Sequence, residues 1–600
     1  MFQKLSEFSR LLPVAEVVEY LNEGMPEVYD RGLAICFDEN GNYHSVEVLH
    51  NRESVIYRSG PSNGTDYTPC CKLAKTTDNR LLKAAKNLLE SGQLSPKEEQ
   101  WLALAIGAYE QNVKRIWTEV QEQSRNAQID GKTHRGYAYW AKSTNGNIFP
   151  LYEWDSCKRH MQASVVANWK ARGGYREQGT CFICGQKDRT VLGNFSLLAC
   201  YNLDKIGSIA GGFKEANGVK NFPVCEECAL RISGAVIRIE NDLTSTMAGQ
   251  SYMILPYSNS EEVREEMKHL LTNKPGRFKL GSSKQFDLIA QEESFLEDFE
   301  AFSDQMAFAL IFFKQDNAAW RIQAEVQQVL PSRMKSLHDA GRKISEAKDL
   351  TYTDRKGEEK RIEINANLIR NFSEASEKKS EEVFRAWLVA LFEHKQIGYR
   401  EFLHHLVNRL VYIGRKENAL IPWTLRQAWA FYRYACLVDL IVPDKKGASM
   451  EGAVLASPYG QYILDHPEFF DRPEKAVAFL TGCYVSVVTS VQYRKRRSTP
   501  FAKKFVGRLL PRDHLKRLYR EGHDKLAQYE ALGLVAKKMD PDLAEAWVKC
   551  GADWKISNEE STFAFTIGYS LESRIRALSG DQELAEISEF AEEAENNELD

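Results

Sequence analysis

Two Cys-x-x-Cys pairs, Cys181-Phe-Ile-Cys184 and Cys225-Glu-Glu-Cys228, constrain the fold of this chain more than any other feature. A two-residue spacer lets both sulfurs of a pair reach one ion, so two such knuckles supply the four soft ligands of a tetrahedral zinc site. Gly185 follows the first pair, and glycine permits the tight turn in which backbone N–H groups point at sulfur. The competing readings of these thiols are disulfides or a vestigial site. Four protein ligands leave no open position for water, so the expected Zn2+ is a structural staple and not a catalyst.

The chain has 600 residues, too many for one hydrophobic core, and about two to four domains are expected. A composition of 43% hydrophobic and 27% charged residues is that of a globular protein. Glu7 and Glu16 interrupt the N-terminal apolar stretch, which argues against a signal peptide. No uninterrupted apolar run approaches the roughly twenty residues that cross a bilayer, so no membrane partner is expected. The remaining cysteines show no disulfide-framework spacing, which points to a reducing, cytoplasmic setting.

The formal net charge is only −4, but its distribution is uneven. Between Arg494 and Lys538 there are fourteen Lys or Arg against four Asp or Glu, whereas Asp581 to Asp600 holds nine acids and no base. That asymmetry suggests a basic binding face beside an acidic tail.

The expected fold class is α+β. A mixed N-terminal domain spans 1–340 and carries the cysteine module at about 180–234. A charged, exposed connection follows at 341–380, a helical connecting region at 381–448, and a C-terminal helical bundle at 449–600. Residues 1–20 read as a helix. Leu33 to Phe37 and Val46 to Leu49 flank Asn40-Gly41 and read as a β-hairpin. Arg80 to Gln123 has helical spacing broken near Gly92 and Pro96. Ala229 to Leu243 reads as a helix, Tyr252 to Pro256 as a strand, and Met306 to Phe313 as a buried segment of either kind. The tryptophans at 117, 140, 154 and 169 read chiefly as core, with base stacking as the alternative. His404-His405 is read as structural or surface, because adjacent helical residues point about 100° apart.

Two segments have the residue types of a nucleic-acid contact. Val491 to Phe505 contains six cations (Arg494, Lys495, Arg496, Arg497, Lys503 and Lys504) and three aromatics, with Arg508 just beyond. Cations neutralise phosphates and aromatic faces stack on bases, against the alternative of a generic solvated surface. Lys274-Pro-Gly-Arg277-Phe-Lys279 and Gly281-Ser-Ser-Lys284-Gln285 form a Gly- and Pro-punctuated basic loop whose small residues let backbone approach a phosphate. The plainer reading there is a solvated turn. Walker, HExxH, GxSxG and nuclease-type carboxylate motifs are missing, which lowers the expectation of an enzyme.

The run Cys181-x-x-Cys184, Tyr201-Asn-Leu-Asp204-Lys205-x-Gly207-x-x-x-Gly211, Phe222-Pro-Val-Cys225-x-x-Cys228-x-x-x-Ile232-x-Gly234 resembles the large subunit of type I-B CRISPR Cascade, the Csh-type family. Pro500-Phe501-x-Lys503-Lys504 and Lys525-Leu-x-x-Tyr529 fit the distal half of that family, whereas Ser208 departs from an aromatic in its pattern. The resemblance implies a non-catalytic subunit of an RNA-guided surveillance complex. Such a subunit sits near the 5′ handle of the CRISPR RNA, beside backbone, handle-binding and small subunits. It reads a protospacer-adjacent motif in target double-stranded DNA, helps open the duplex, and exposes it to a separate helicase–nuclease. On that reading the Lys274 to Gln285 loop is the best candidate for motif contact, with Asn63 in the Gly60 to Thr65 loop a weaker one. The C-terminal cations then act on phosphates with little sequence preference. The resemblance further implies that the bundle can be made separately as a small subunit, and Met450 stands where such a product could start. The alternative reading is a free-standing zinc-containing RNA-binding protein.

Overall fold

The computed structural model describes residues 2–11, 21–26, 28–50, 52–60, 65–74, 77–124, 128–129, 132–133, 135–195, 214–273, 303–316, 319–353, 359–373, 381–417, 422–443, 450 and 452–579. The fold is α+β, with the sheets in the N-terminal half and helices dominating the C-terminal half. Contacts divide it into two compact units. The first comprises residues 1–244, 253–280 and 313–323; the second comprises 245–252, 281–312 and 324–600.

The first unit is built on strands β1 (Tyr29–Phe37), β2 (Tyr43–Leu49), β3 (Cys70–Lys72), β4 (Arg135–Thr144) and β5 (Asn147–Pro150). β1 and β2 form the expected antiparallel hairpin. The Asp38 carboxylate accepts the Asn40 and Asn42 N–H groups at 2.9 and 2.8 Å, and Gly41 takes φ +81°. A Cβ on Gly41 would lie 2.7 Å from Leu104 Cβ, so both the turn and the close approach require glycine there.

β4 runs parallel to β1, and both β3 and β5 pair antiparallel with β4. The period of two sends Leu33, Ile35, Phe37 and Trp140 to one face, where they pack on α2 (Thr77–Leu89) and α3 (Pro96–Gln123). Ala34, Cys36, Tyr137 and Tyr139 face the other way, onto Tyr57 and Tyr152. The break expected near Pro96 is the start of α3. There Ser95 and Glu98 form a reciprocal capping box and Pro96 fills the first turn. The tryptophans serve the core: Trp140 is fully buried, Trp169 is buried, Trp154 packs 5.4 Å from Trp101, and Trp117 donates to the Tyr109 hydroxyl. The N-terminal helix α1 (Phe2–Ser9) is shorter than expected, and residues 12–20 lie outside the described set.

Further along the chain are α4 (Asp155–Gly173), strands β6 (Tyr175–Gly179), β7 (Arg189–Leu192) and β8 (Val224–Cys225), α5 (Glu226–Asp242) and α6 (Glu261–Asn273). Tyr252 to Pro256 lies in strand β9 (Gln250–Ser258) and Met306 to Phe313 in β10 (Met306–Asp316).

The second unit contains helices α7 (Pro331–Ser345), α8 (Ala366–Ser373), α9 (Glu381–Phe392), α10 (Tyr399–Glu417), α11 (Pro422–Leu437), α12 (Pro458–Asp465), α13 (Pro473–Arg496), α14 (Arg512–Gln528), α15 (Leu534–Cys550) and α16 (Asn558–Leu578). The described residues of the stretch 341–380 include a packed segment, where its charge suggested an exposed connection. Ile362, Ile364, Leu368, Ile369 and Phe372 are buried, and α8 packs Phe372 6.1 Å from Phe431. Nor does the core stop at 449. Trp429 lies 5.1 Å from Phe469, Tyr432 lies 5.5 Å from Phe563, and Arg426 donates to the Ser570 carbonyl. A product started at Met450 would lack these partners and uncover Phe469 and Phe563. Met450 itself is buried.

α13 forms the axis of this unit. It is the one described helix long and apolar enough to cross a membrane, yet 89% of its apolar window is buried inside the protein. A search for unbroken apolar runs passes over it because Thr481, Ser486 and Thr489 interrupt the pattern. Thr481 and Thr489 donate to carbonyls of their own helix. α13 and α16 run parallel: Lys475 faces Glu560 at 3.6 Å, Gly482 meets Phe565, and Thr489 meets Tyr569. Their C-termini therefore lie at the same end of the bundle.

Candidate metal centre and nucleic-acid interface

The cysteine centre is assembled by strand pairing followed by a helix start. β7 pairs with β6 and β8, placing Val191 opposite Cys225 and Leu192 opposite Val224, and all but the slightly exposed Cys225 are fully buried. Cys181 N–H donates to the Gln186 carbonyl and Gly185 N–H to the Cys181 carbonyl, both at 2.9 Å, with Gly185 at φ +71°. This is the glycine-dependent turn expected after the first pair. The second pair sits where α5 begins. Cys225 is its N-cap residue and Cys228 lies in its first turn, a position that favours thiolate. Phe182, between the first two cysteines, is exposed and packs edge-on against Phe222 at 5.0 Å.

All four Sγ atoms lie within 4.8 Å of one another. Cys184 Sγ is 3.9 Å from Cys225 Sγ, and the Cys225 N–H points at Cys181 Sγ at 3.3 Å. Ligands at about 2.3 Å from a tetrahedral ion stand about 3.8 Å apart, so the donor set fits a metal. A disulfide needs about 2.05 Å between sulfurs, and these four are free thiols. Hydrogen bonds from Cys225 and Cys228 hold the Cys181 thiol far below its usual range. Cys225, donating to Cys181, is pushed up to about 11, and Cys228 rises for the same reason. A bound cation would take the place of the protons that these thiols share.

The second candidate lies at the end of α13. Its last turn carries Arg494, Lys495 and Arg496, where cations meet the negative end of the helix dipole. Arg497 closes the helix in the left-handed conformation, φ 51° and ψ 33°, donating to the Tyr493 carbonyl at 2.7 Å. A 3-10 turn, Pro500–Lys504, follows. Phe501 and Phe505 are each 2% exposed. Phe505 packs 5.2 Å from Phe565 and 5.0 Å from Tyr569, and the Phe501 N–H is held by Gln492 at 3.0 Å.

These two rings are anchors and not the stacking faces expected from composition, because a one-turn helix has to bury one side. The third aromatic, Tyr493, is half-buried beneath Arg497. The same anchoring turns Lys503 and Lys504 outward. Arg494, Lys495, Arg496, Arg497, Lys503, Lys504 and Arg508 are all exposed. Among the described residues Lys504 of this cluster makes an ion pair with Glu521 at 2.5 Å. Lys495 donates to the Tyr529 carbonyl at 2.7 Å. The seven cations that the sequence singled out therefore form a stripe on the bundle, from Arg494 to Arg497 at the C-terminal end of α13 back toward the start of α16, where Leu510 meets Ser561 and Thr562.

Asn63 and the loop residues Lys274, Arg277, Lys279, Lys284 and Gln285 lie outside the described residues, as does the Tyr201 to Gly211 run. His404 is a surface residue, with Nδ1 2.9 Å from the Glu559 carboxylate. Composition gave no sign of Arg415, whose Nε donates to the Gly507 carbonyl at 2.9 Å and fixes the turn leading to Arg508.

A search of curated proteins gives no match. The profile of the CRISPR-associated protein TM1802 (cas_TM1802) central domain matches residues 178–329, which contain the whole cysteine centre. That of the TM1802 C-terminal domain matches residues 365–583, which contain the basic stripe of the bundle. The two matches together span more than half of the chain, in the order of the family, and the chain belongs to the CRISPR-associated TM1802 family.

Proposed function

We propose that this protein is the non-catalytic large subunit of a type I-B Cascade, acting in the cytoplasm. It joins CRISPR RNA and the backbone, handle-binding and small subunits, reads the adjacent motif of target double-stranded DNA, aids strand separation, and helps license a helicase–nuclease recruited in trans. The observation that carries this reading is the cation cluster from Arg494 to Arg508, exposed on a rigid bundle inside the family's C-terminal domain. A polyanion backbone is the ligand that such a cluster fits, because phosphates need charge and reach more than shape. The metal is zinc: four thiolates select soft or borderline ions, and four-coordinate sulfur sites that serve structure hold zinc. With every position filled by protein, the ion ties β7, β8 and α5 together and has no place for substrate. Motif reading is assigned to the Lys274 to Gln285 loop, with Asn63 as a second contact.

Replacing Arg494, Lys495, Arg496 and Arg497 with Ala tests the reading. Target-DNA affinity is expected to fall, and the slope of log affinity against log salt to shrink by roughly 0.7 to 0.9 for each lost phosphate contact. The preference for adjacent motif should be retained. An unchanged slope would assign the cluster to plain solvated surface.

A further inference from the structure

We propose that the acidic segment from Asp581 to Asp600 docks on the basic stripe of the bundle, beginning at its Arg494 to Arg497 end, and competes there with nucleic acid. This rests on reading the Arg494 to Arg508 cluster as a nucleic-acid interface.

The first support is position. Because α13 and α16 run parallel, Ser579, the last described residue, leaves the bundle at the end that presents Arg494 to Arg497. Arg576, one turn before it, is close enough that its charge, after desolvation, pushes the Arg494 pKa down, with the Glu572 carboxylate acting the other way. Arg576 is itself buried against Glu572, so it spends its charge inside the bundle.

The second support is charge. The segment holds nine acids and no base. The cluster presents seven exposed cations, and among the described residues one of them, Lys504, makes an ion pair with a carboxylate. Carboxylates pair with guanidinium groups in the same forked geometry as phosphates, so both polyanions seek the same donors. The third support is reach. Twenty residues span up to about 65 Å when extended, far more than a turn of helix requires.

Tethering sets the strength of the effect. A segment attached beside its own binding face acts at an effective concentration near the millimolar range, without any tight contact. It therefore taxes most the nucleic acid that depends on this cluster alone. Random DNA, held by charge alone, loses most, while a target secured by base pairing to a guide displaces the segment. The device sharpens discrimination at a surface that has no sequence preference of its own.

The test compares the full chain with a full chain carrying Asp581→Asn, Glu583→Gln and the corresponding amides at the other seven acids. The probe is a short single-stranded DNA of arbitrary sequence. Neutralisation is expected to tighten binding about tenfold at low salt, with the gain vanishing as salt rises. A synthetic peptide of residues 581–600 should bind the neutralised chain, and lose that binding when Arg494, Lys495, Arg496 and Arg497 are also Ala. No peptide binding, together with unchanged DNA affinity, would overturn the proposal and leave the interface reading intact. Peptide binding without DNA binding by either chain would instead overturn the interface reading, and competition with it.

Discussion

The four cysteines differ in what they contribute beyond a sulfur. Cys181 is buried and receives the Cys225 N–H, Cys225 caps α5, Cys228 sits in its first turn, and Cys184 is exposed on the knuckle. Metal analysis of the purified chain should find about one zinc per chain. Cys184→Ser should weaken retention against a chelator and loosen β7 and β8, because the other three sulfurs stay in place. A Cys225→Ser, Cys228→Ser double variant should hold none, since half of the ligands are lost while serine at the N-cap preserves the start of α5. Full zinc occupancy in that double variant contradicts the assignment.

Arg497 offers a separate test on the same scale. A non-glycine residue in the left-handed region costs about 1 kcal/mol, and glycine is the usual residue where a helix ends this way. Arg497→Gly is therefore expected to leave the folded state equally stable or up to about 1 kcal/mol more stable, while weakening DNA binding. A melt and a titration on the same variant check both halves. Loss of stability with unchanged binding would make Arg497 a structural cap only.

At the scale of elements, helix packing hinges on two glycines. A Cβ on Gly482 would lie 2.1 Å from the Phe565 carbonyl oxygen, and one on Gly568 would lie 2.0 Å from that of Phe479. The backbones of α13 and α16 touch at both points, so Gly482→Ala should destabilise by about 3 kcal/mol as the helices are forced apart. Gly107→Ala is the control with the opposite sign. Gly107 lies in α3 with nothing within 4 Å of its added Cβ, and the change should stabilise by about 0.5 to 1 kcal/mol. Denaturant melts of both variants decide this.

Elements were legible in the sequence where local chemistry dictates them. Asn40-Gly41 marks the hairpin, Ser95-Pro96 marks the start of α3, and the Cys-x-x-Cys spacing marks the knuckles. They were misread where direction matters more than composition. Phe501 and Phe505 look like stacking residues until the turn points them inward. Ile362, Ile364 and Phe372 are too sparse among charges to announce a packed segment. The polar residues of α13 hide its central place, although Thr481 and Thr489 satisfy their hydroxyls on carbonyls of their own helix.

At the scale of the whole molecule, the sequence supplied the cysteine centre residue by residue and the seven cations of the bundle. It did not supply the long-range closures that join them to a fold. The boundary expected at 449 passes through a continuous aromatic core, because Trp429 and Tyr432 find Phe469 and Phe563 only in three dimensions. Membership of the TM1802 family now sets the biological frame, and the metal centre and basic stripe of the bundle both fall inside the matched regions. The central claim is that this chain works as a subunit of an RNA-guided complex. Its most direct test is affinity purification of the chain expressed from its native gene in its own cells, followed by mass spectrometry and sequencing of bound RNA. The account predicts co-purification with repeat-bearing backbone subunits and a short CRISPR RNA. Recovery of the chain alone, or with unrelated RNA and no such subunits, would contradict it and favour a free-standing zinc-containing RNA-binding protein.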